Sequence, residues 1–260
     1  MTAVRPDTVY FFGTCLIDLM YPQAGVAAIK LLQQAGVRVI FPQGQTCCGQ
    51  PPWNSGYRDE ARVVGRAQLK LFPKDIPVIV PSGSCAGMFK QHYPELFAGQ
   101  PEEAQAQALA KRTYEWTEFM VDVLGVELED QGDALQVAVH TSCSARREMG
   151  VAKQIEQLLG QLRQVTVVEQ AYKAECCGFG GTFAVKEPEV SASMVADKTA
   201  AIRATEASHL VSQDCGCLMN IGGAFDYQAK QENLAQPRVQ HIAEFLWERT
   251  QSNATEEAAS

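Results

Sequence analysis

The chain is short of positive charge. Its 22 Lys and Arg face 30 Asp and Glu, a formal net charge of −8. Nucleic-acid binding needs a basic face, and anionic membrane surfaces recruit polybasic segments, so both kinds of partner are disfavoured. No apolar run approaches the roughly 18–20 residues of a membrane span. Met1 to Tyr10 lacks the charged-then-apolar plan of a secretory leader, which points to the cytoplasm. Histidine is scarce, with 4 in the chain, and His92, His209 and His241 have no ligand spacing. A dinucleotide fingerprint is also missing: Gly178-x-Gly180-Gly181 follows cysteines and has no strand immediately before it. Hydride chemistry on a flavin or nicotinamide therefore has no visible home.

Cysteine is plentiful, with 9 residues. In a reducing compartment such thiols serve as metal ligands or redox groups more often than as disulfides. Their placement is duplicated. Cys15, the pair Cys47-Cys48 and Cys85 recur as Cys143, the pair Cys176-Cys177 and Cys217, at offsets of 128, 129 and 132 residues. Each pair is followed by glycine, Gly49 and Gly178. Adjacent residues on a strand point to opposite faces, so two neighbouring thiols reach one centre only from a turn, and glycine supplies the freedom that turn needs. One such pair alone reads equally well as two small buried hydrophobes. Two pairs on one grid read as two sets of four thiolates, the donor set of an iron–sulfur or zinc site. Structural zinc usually sits on short C-x₂₋₄-C knuckles, which are absent; the gaps of 31 and 36 residues in the first half suit a folded pocket and an iron–sulfur cluster.

The duplication extends to the elements. In each half a β-branched run ends at the first cysteine, Val9–Cys15 and Val137–Cys143. A helix follows, Ala24–Gln34 and Ala145–Leu162, then a strand, Arg38–Phe41 and Val165–Val168. After the cysteine pair come a second helix, Asp59–Phe72 and Pro188–Ala204, and a third strand, Pro77–Val80 and His209–Val211. Alternating strands and helices predict an α/β fold of two similar βαβ, Rossmann-like lobes with parallel sheets. The cysteines follow strand ends, where open parallel sheets bind ligands. The expected division is 1–126 for the first lobe, including a linking helix from Glu102 to Leu124 ended by Gly125, 127–251 for the second, and a flexible tail over 252–260.

Longer runs now carry a family signature. They are Gln45-Thr46-Cys47-Cys48-Gly49-Gln50-Pro51-Pro52-Trp53-Asn54-Ser55-Gly56-Tyr57, Pro81-Ser82-Gly83-Ser84-Cys85-Ala86-Gly87-Met88, Glu175-Cys176-Cys177-Gly178-Phe179-Gly180-Gly181-Thr182-Phe183-Ala184-Val185-Lys186 and Cys217-Leu218-Met219-Asn220-Ile221-Gly222-Gly223. From about Val9 to Trp247 the chain resembles the CCG-domain, cysteine-rich iron–sulfur proteins, and above all the lactate utilization protein A family. The cysteine-rich component of heterodisulfide reductase and the iron–sulfur component of glycolate oxidase are relatives of that group. The resemblance implies an electron-transfer subunit of a complex oxidising L-lactate to pyruvate, beside a ferredoxin-type partner. It implies one or two [4Fe–4S] clusters on Cys15, Cys47, Cys48, Cys85, Cys143, Cys176, Cys177 and Cys217. Two departures matter. Met88 and Asn220 stand where the heterodisulfide reductase pattern has a further cysteine, so four thiolates and an ordinary cluster are the simpler expectation. Cys215 is an extra thiol; motif register favours Cys217 as ligand, with Cys215 a possible substitute.

Other readings stay open. The subunit could belong to a glycolate or other 2-hydroxy-acid oxidase, or one cluster could bind substrate at an open iron. In a different class, zinc in place of the clusters would make the chain an assembly scaffold without redox work, and a mixed state would pair one cluster with one zinc or empty site. His140, three residues before Cys143, is either a satisfied strand-end histidine or a donor to cluster sulfur. Met88 reads as core, and Arg146-Arg147 as solvated helix residues or an attractor for an anion.

Overall fold

The computed structural model describes residues 5–232 and 234–251. The tail expected over 252–260 lies outside the described residues. Eight strands are present among them: β1 Thr8–Phe11, β2 Arg38–Ile40, β3 Val78–Val80, β4 Thr113–Glu115, β5 Leu135–His140, β6 Val165–Val168, β7 His209–Ser212 and β8 Arg238–His241. They form two sheets in the orders β2-β1-β3-β4 and β6-β5-β7-β8, every pairing parallel. The expected α/β fold of two similar lobes is therefore what the chain adopts. Short runs such as Val78-Ile79-Val80 are fully buried, as parallel strands covered on both faces must be.

The register makes the lobes superimposable by residue. Phe11 pairs with Ile79 and Val139 with Val211. Phe11 and Val139 each stand four residues before their cysteine, so Phe12 and His140 are counterparts. Ile79 and Val211 each stand six residues before Cys85 and Cys217, which makes those two cysteines counterparts and sets Cys215 opposite Gly83.

The lobes share one interior. The helix Pro22–Gln34 of the first lobe packs on the last helix of the second, Ile242–Thr250, and the second-lobe helix Ala152–Leu159 packs on Trp116–Val123 of the first. Leu31, Leu32, Trp116, Phe119, Ile155, Leu158, Phe245 and Leu246 form a single buried cluster there. At roughly 1.5–3 kcal/mol for each large side chain removed from water, this seam rivals a domain core. A buried ion pair, Arg249 to Asp130 at 2.6 Å, ties the last helix to the segment entering β5, and Arg249 also donates to the Asp133 carbonyl at 2.7 Å.

Two helix expectations are corrected. The single helix expected over Glu102–Leu124 is interrupted by β4. Thr113 pairs with Val78, and Glu115 closes a capping box with Glu118, accepting from the amides of Thr117 and Glu118. A residue that caps a new helix cannot continue the old one. The helix expected over Ala145–Leu162 is two pieces, Cys143–Arg147 and Ala152–Leu159, parted around Gly150, whose φ is +71°. The fourth strand of each lobe, β4 and β8, was not anticipated; both are three or four residues long and carry polar residues within them.

Candidate metal centres

In each sheet the first and third strands are neighbours, and the chain leaves them to opposite sides. The crevice beyond their C-terminal ends is the switch point where α/β sheets bind ligands. All the grid cysteines lie there. Cys15 opens a helix whose cap is Thr14, accepting from the Ile17 amide at 3.3 Å; Cys143 opens its counterpart under a Ser142 cap, accepting from the Ala145 amide at 3.1 Å. The cysteine pairs sit in turns made possible by Gly49 at φ +91° and Gly178 at φ +87°. The Gly49 amide donates to Cys47 Sγ at 3.4 Å and the Gly178 amide to Cys176 Sγ at 3.4 Å.

The thiols converge as two chains of contacts. Cys15 lies against Cys47, Cys47 against Cys48, and Cys48 against Cys85. Cys143 lies against Cys176, and Cys177 against Cys176 and Cys217. Exposure repeats as well: Cys48, Cys85, Cys177 and Cys217 are buried, while Cys15, Cys47, Cys143 and Cys176 are half-buried. Contact with Cys15, then with Cys48, lowers Cys47 to about 3, and the same contact raises Cys15 far above the thiol range. In the second set Cys143 is raised by its contact with Cys176 and by burial. Cys217 is drawn down by Cys177 but burial and the Asp214 charge leave it pushed up to about 11. Cys15, Cys48, Cys143, Cys177 and Cys217 are all raised and hold protons that a cation would displace, which is the behaviour of a metal site. Four sulfurs at one crevice, with amides aimed at sulfur, fit a thiolate-bound metal or iron–sulfur cluster in either lobe.

Cys215 is not in either chain of contacts. It is buried at the lobe boundary, and burial, then the charges of Asp214 and Cys85, raise its pKa. Its helix, Cys215–Glu232, packs on Cys15–Met20, as the Cys85 helix, Gly83–Gly87, packs on Cys143–Arg147. The second of these contacts is so close that a Cβ on Gly83 would meet Ala145 at 2.8 Å. Across the same boundary Asp214 accepts from the Ser84 amide at 2.8 Å, and His241 meets the Pro81 carbonyl at 3.1 Å. The two crevices thus face one seam.

Around the thiols the lobes diverge. Tyr93 donates to the Cys48 carbonyl at 2.9 Å; in the second lobe Asn220 donates to the Cys177 carbonyl at 2.8 Å. Asn220, read from sequence only as a missing ligand, therefore braces the turn, and Met88 is core, packed with Cys48, Cys85 and Phe89. His140 is 1% exposed, with neither ring nitrogen hydrogen-bonded. Its ligating nitrogen and the sulfurs of Cys177 and Cys217 lie within 4.8 Å of one another. Burial, then Lys198 and Arg146, lower its pKa to about 3, so the ring is neutral. Arg146 donates to the Lys173 carbonyl at 2.9 Å and to Ala174, clamping the loop before Cys176, while Arg147 is exposed. His92 stacks 5.0 Å from Trp53 and lies 3.6 Å from Glu148, and His209 packs on Phe245. Lys198, Asp214 and Tyr93 escaped the sequence reading; matched positions across the duplication were the signal that could have exposed Lys198.

Comparison with known proteins agrees with this geometry. The cysteine-rich domain family, CCG, matches residues 9–90 and 137–222. Lactate utilization protein A of Geobacillus kaustophilus (strain HTA426) is 46% identical over 242 residues, 92% of this chain and 98% of the relative. That of Bacillus velezensis is 45% identical over 241 residues, with the same coverage. Lactate utilization protein A 2 of Bacillus cereus (strain 03BB102) is 42% identical over 239 residues, 92% of this chain and 97% of the relative. Among solved structures, a hypothetical protein from Helicobacter pylori matches with a TM-score of 0.66 at 12% identity, covering 97% of this chain. The chain spans 50% of that structure's length, and the likeness concerns the fold alone.

Proposed function

The chain belongs to the cysteine-rich CCG family and, within it, to the lactate utilization protein A family; from that premise we propose that it is the iron–sulfur electron-transfer subunit of a complex that oxidises L-lactate to pyruvate. The observation that carries the reading is the pair of four-thiol sets, each gathered at a sheet switch point in a chain whose relatives are named for lactate utilization. In this reading Cys15, Cys47, Cys48 and Cys85 hold one [4Fe–4S] cluster and Cys143, Cys176, Cys177 and Cys217 hold another. Such clusters, when bound, take up and release one electron at a time. The chain's own work is to hold them. Gly49 and Gly178 turn both thiols of a pair inward, their amides donate to sulfur, and the seam keeps the two crevices in one rigid frame. The proposal places this subunit in the cytoplasm beside a ferredoxin-type partner; no helix among the described residues is long and apolar enough to cross a membrane.

One observation favours a second reading for one site. The compact trio His140, Cys177 and Cys217 also suits a single zinc ion, which would leave the second lobe structural and the first alone redox-active. Purification without oxygen, followed by iron, sulfide and zinc analysis with a visible spectrum, tests both. About eight irons per chain with equal sulfide is the expected result. About four irons with one zinc would support the mixed reading, and zinc without sulfide would replace electron transfer with a scaffold role.

A further inference from the structure

The two cysteine sets match, but the walls behind them do not. At the end of the first strand the first lobe has Phe12 and the second has His140. Both are buried, but only His140 has an N–H to place, and neither of its nitrogens has a partner. A buried polar group left unpaired is destabilising, so the ring needs an acceptor. The sulfurs of Cys177 and Cys217 lie within 4.8 Å of a ring nitrogen and can accept from it.

A second position differs in the same sense. Gly49 packs against Ala61 and Val64, and Gly178 against Ser191 and Met194, so the helices Arg58–Leu69 and Pro188–Arg203 are in register and Gln68 matches Lys198. Gln68 is a neutral amide bonded to Thr46 at 2.7 Å. Lys198 is 2% exposed and donates to the Tyr172 carbonyl at 2.7 Å, with Cys176, Cys177 and the exposed Glu175 as the nearby anions. Asp214 carries the opposite sign and acts on the second set, where it raises Cys143 and Cys217, but the amides of Ser84 and Gly216 donate to its carboxylate.

We infer that the second centre is the more easily reduced of the two, because His140 donates a ring N–H to the thiolates of Cys177 and Cys217, with the Lys198 ammonium behind them, where the first centre meets the Phe12 ring and the Gln68 amide. An electron added to a cluster enlarges the negative charge on its sulfurs, so an N–H donor and a nearby cation stabilise the reduced state more than the oxidised one. The inference rests on the reading that both sites carry iron–sulfur clusters.

The test is a redox titration of the full chain, purified without oxygen, followed by electron paramagnetic resonance, with iron and sulfide measured on every variant. The wild type is expected to show two midpoint potentials. His140→Phe, which installs the first-lobe residue, should lower the higher potential, leave the lower one in place and keep iron per chain unchanged. Lys198→Gln should lower the same potential by a smaller shift. One shared potential, or a His140→Phe protein in which neither moves, overturns the inference. Loss of iron from one centre in His140→Phe also overturns it, since the imidazole would then be a ligand. A wild-type chain without iron and sulfide overturns the proposed function and this inference with it, an outcome the metal analysis reads before any titration.

Discussion

Cys47 and Cys176 sit in the same turn, beside the same glycine, with the same amide-to-sulfur distance, yet what supports each turn differs. In the first lobe a phenol braces the carbonyl of Cys48; in the second the amide of Asn220 braces that of Cys177. Phe12 answers to His140, Gln68 to Lys198 and Gly83 to Cys215. The thiol grid is the same in both copies while the residues around it differ, with an apolar ring replaced by an imidazole and a neutral amide by an ammonium in the second. Ligand positions are constrained by metal geometry, and the residues behind them only by packing and by the properties the centre needs.

The comparison breaks most sharply on the thiols. Cys47→Ser should remove the iron and sulfide of one centre and leave the other, and Cys176→Ser should do the reverse, so each single variant keeps about half the wild-type iron and the double variant none. Metal analysis per chain checks this. Loss of all iron from either single variant would mean that the lobes do not load independently.

Next in size is the glycine after each pair. Gly49→Ala and Gly178→Ala both force a side chain into the left-handed region, a cost of about 1–2 kcal/mol. The added Cβ at Gly178 would also meet the Ser191 carbonyl at 2.9 Å, whereas the nearest atom at Gly49 is 3.4 Å away. Gly178→Ala should therefore destabilise by about 3 kcal/mol and Gly49→Ala by about half as much, read as the shift in urea midpoint at unchanged slope.

A third contrast concerns pH. Glu115 and His241 end the fourth strand of their lobes and both cap the following helix. Burial raises Glu115 to about 8, with Thr117 and Glu118 pulling against it, and lowers His241 to about 4, its bonds to Pro81 and Gln213 pulling against that. Glu115 keeps a proton in the folded state that the unfolded chain releases near pH 4.5, so its contribution is full below that pH and is lost as pH rises toward 8. His241 stays neutral where the unfolded chain is protonated, so its contribution is full above pH 6.5 and is lost as pH falls toward 4. Denaturation across pH should show Glu115→Gln flattening the alkaline limb and His241→Asn the acid limb.

The smallest effect belongs to Cys215. Its place opposite Gly83, outside both sulfur chains, predicts that Cys215→Ala keeps iron per chain unchanged and costs about 1 kcal/mol or less as a small buried group is trimmed. Iron lost from Cys215→Ala but kept in Cys217→Ser would exchange their roles.

Much of this was legible beforehand because duplication is a strong signal. Two copies of a Cys-Cys-Gly turn at one offset mark candidate ligand positions without structure, and β-branched runs before each cysteine identify strands. β4 and β8 were hidden because Thr113-Tyr114-Glu115 and Arg238-Val239-Gln240-His241 carry polar residues that packing, not local pattern, buries. His140 was seen but not resolved between two roles, since nothing local reveals whether a strand-end imidazole finds a partner. Lys198 looked like any helix lysine until its burial was known.

What the sequence determined by itself is the covalent order of donors, because thiolates and the glycine turns between them are set by residue identity and spacing. Between Cys217, which motif register favours, and Cys215, the tertiary structure places Cys217 against Cys177. It alone also brought Asp214 of one lobe to Ser84 of the other and left the nitrogens of His140 without a partner. Those are contacts between residues far apart in the chain, fixed by the burial of a shared core that no local pattern records.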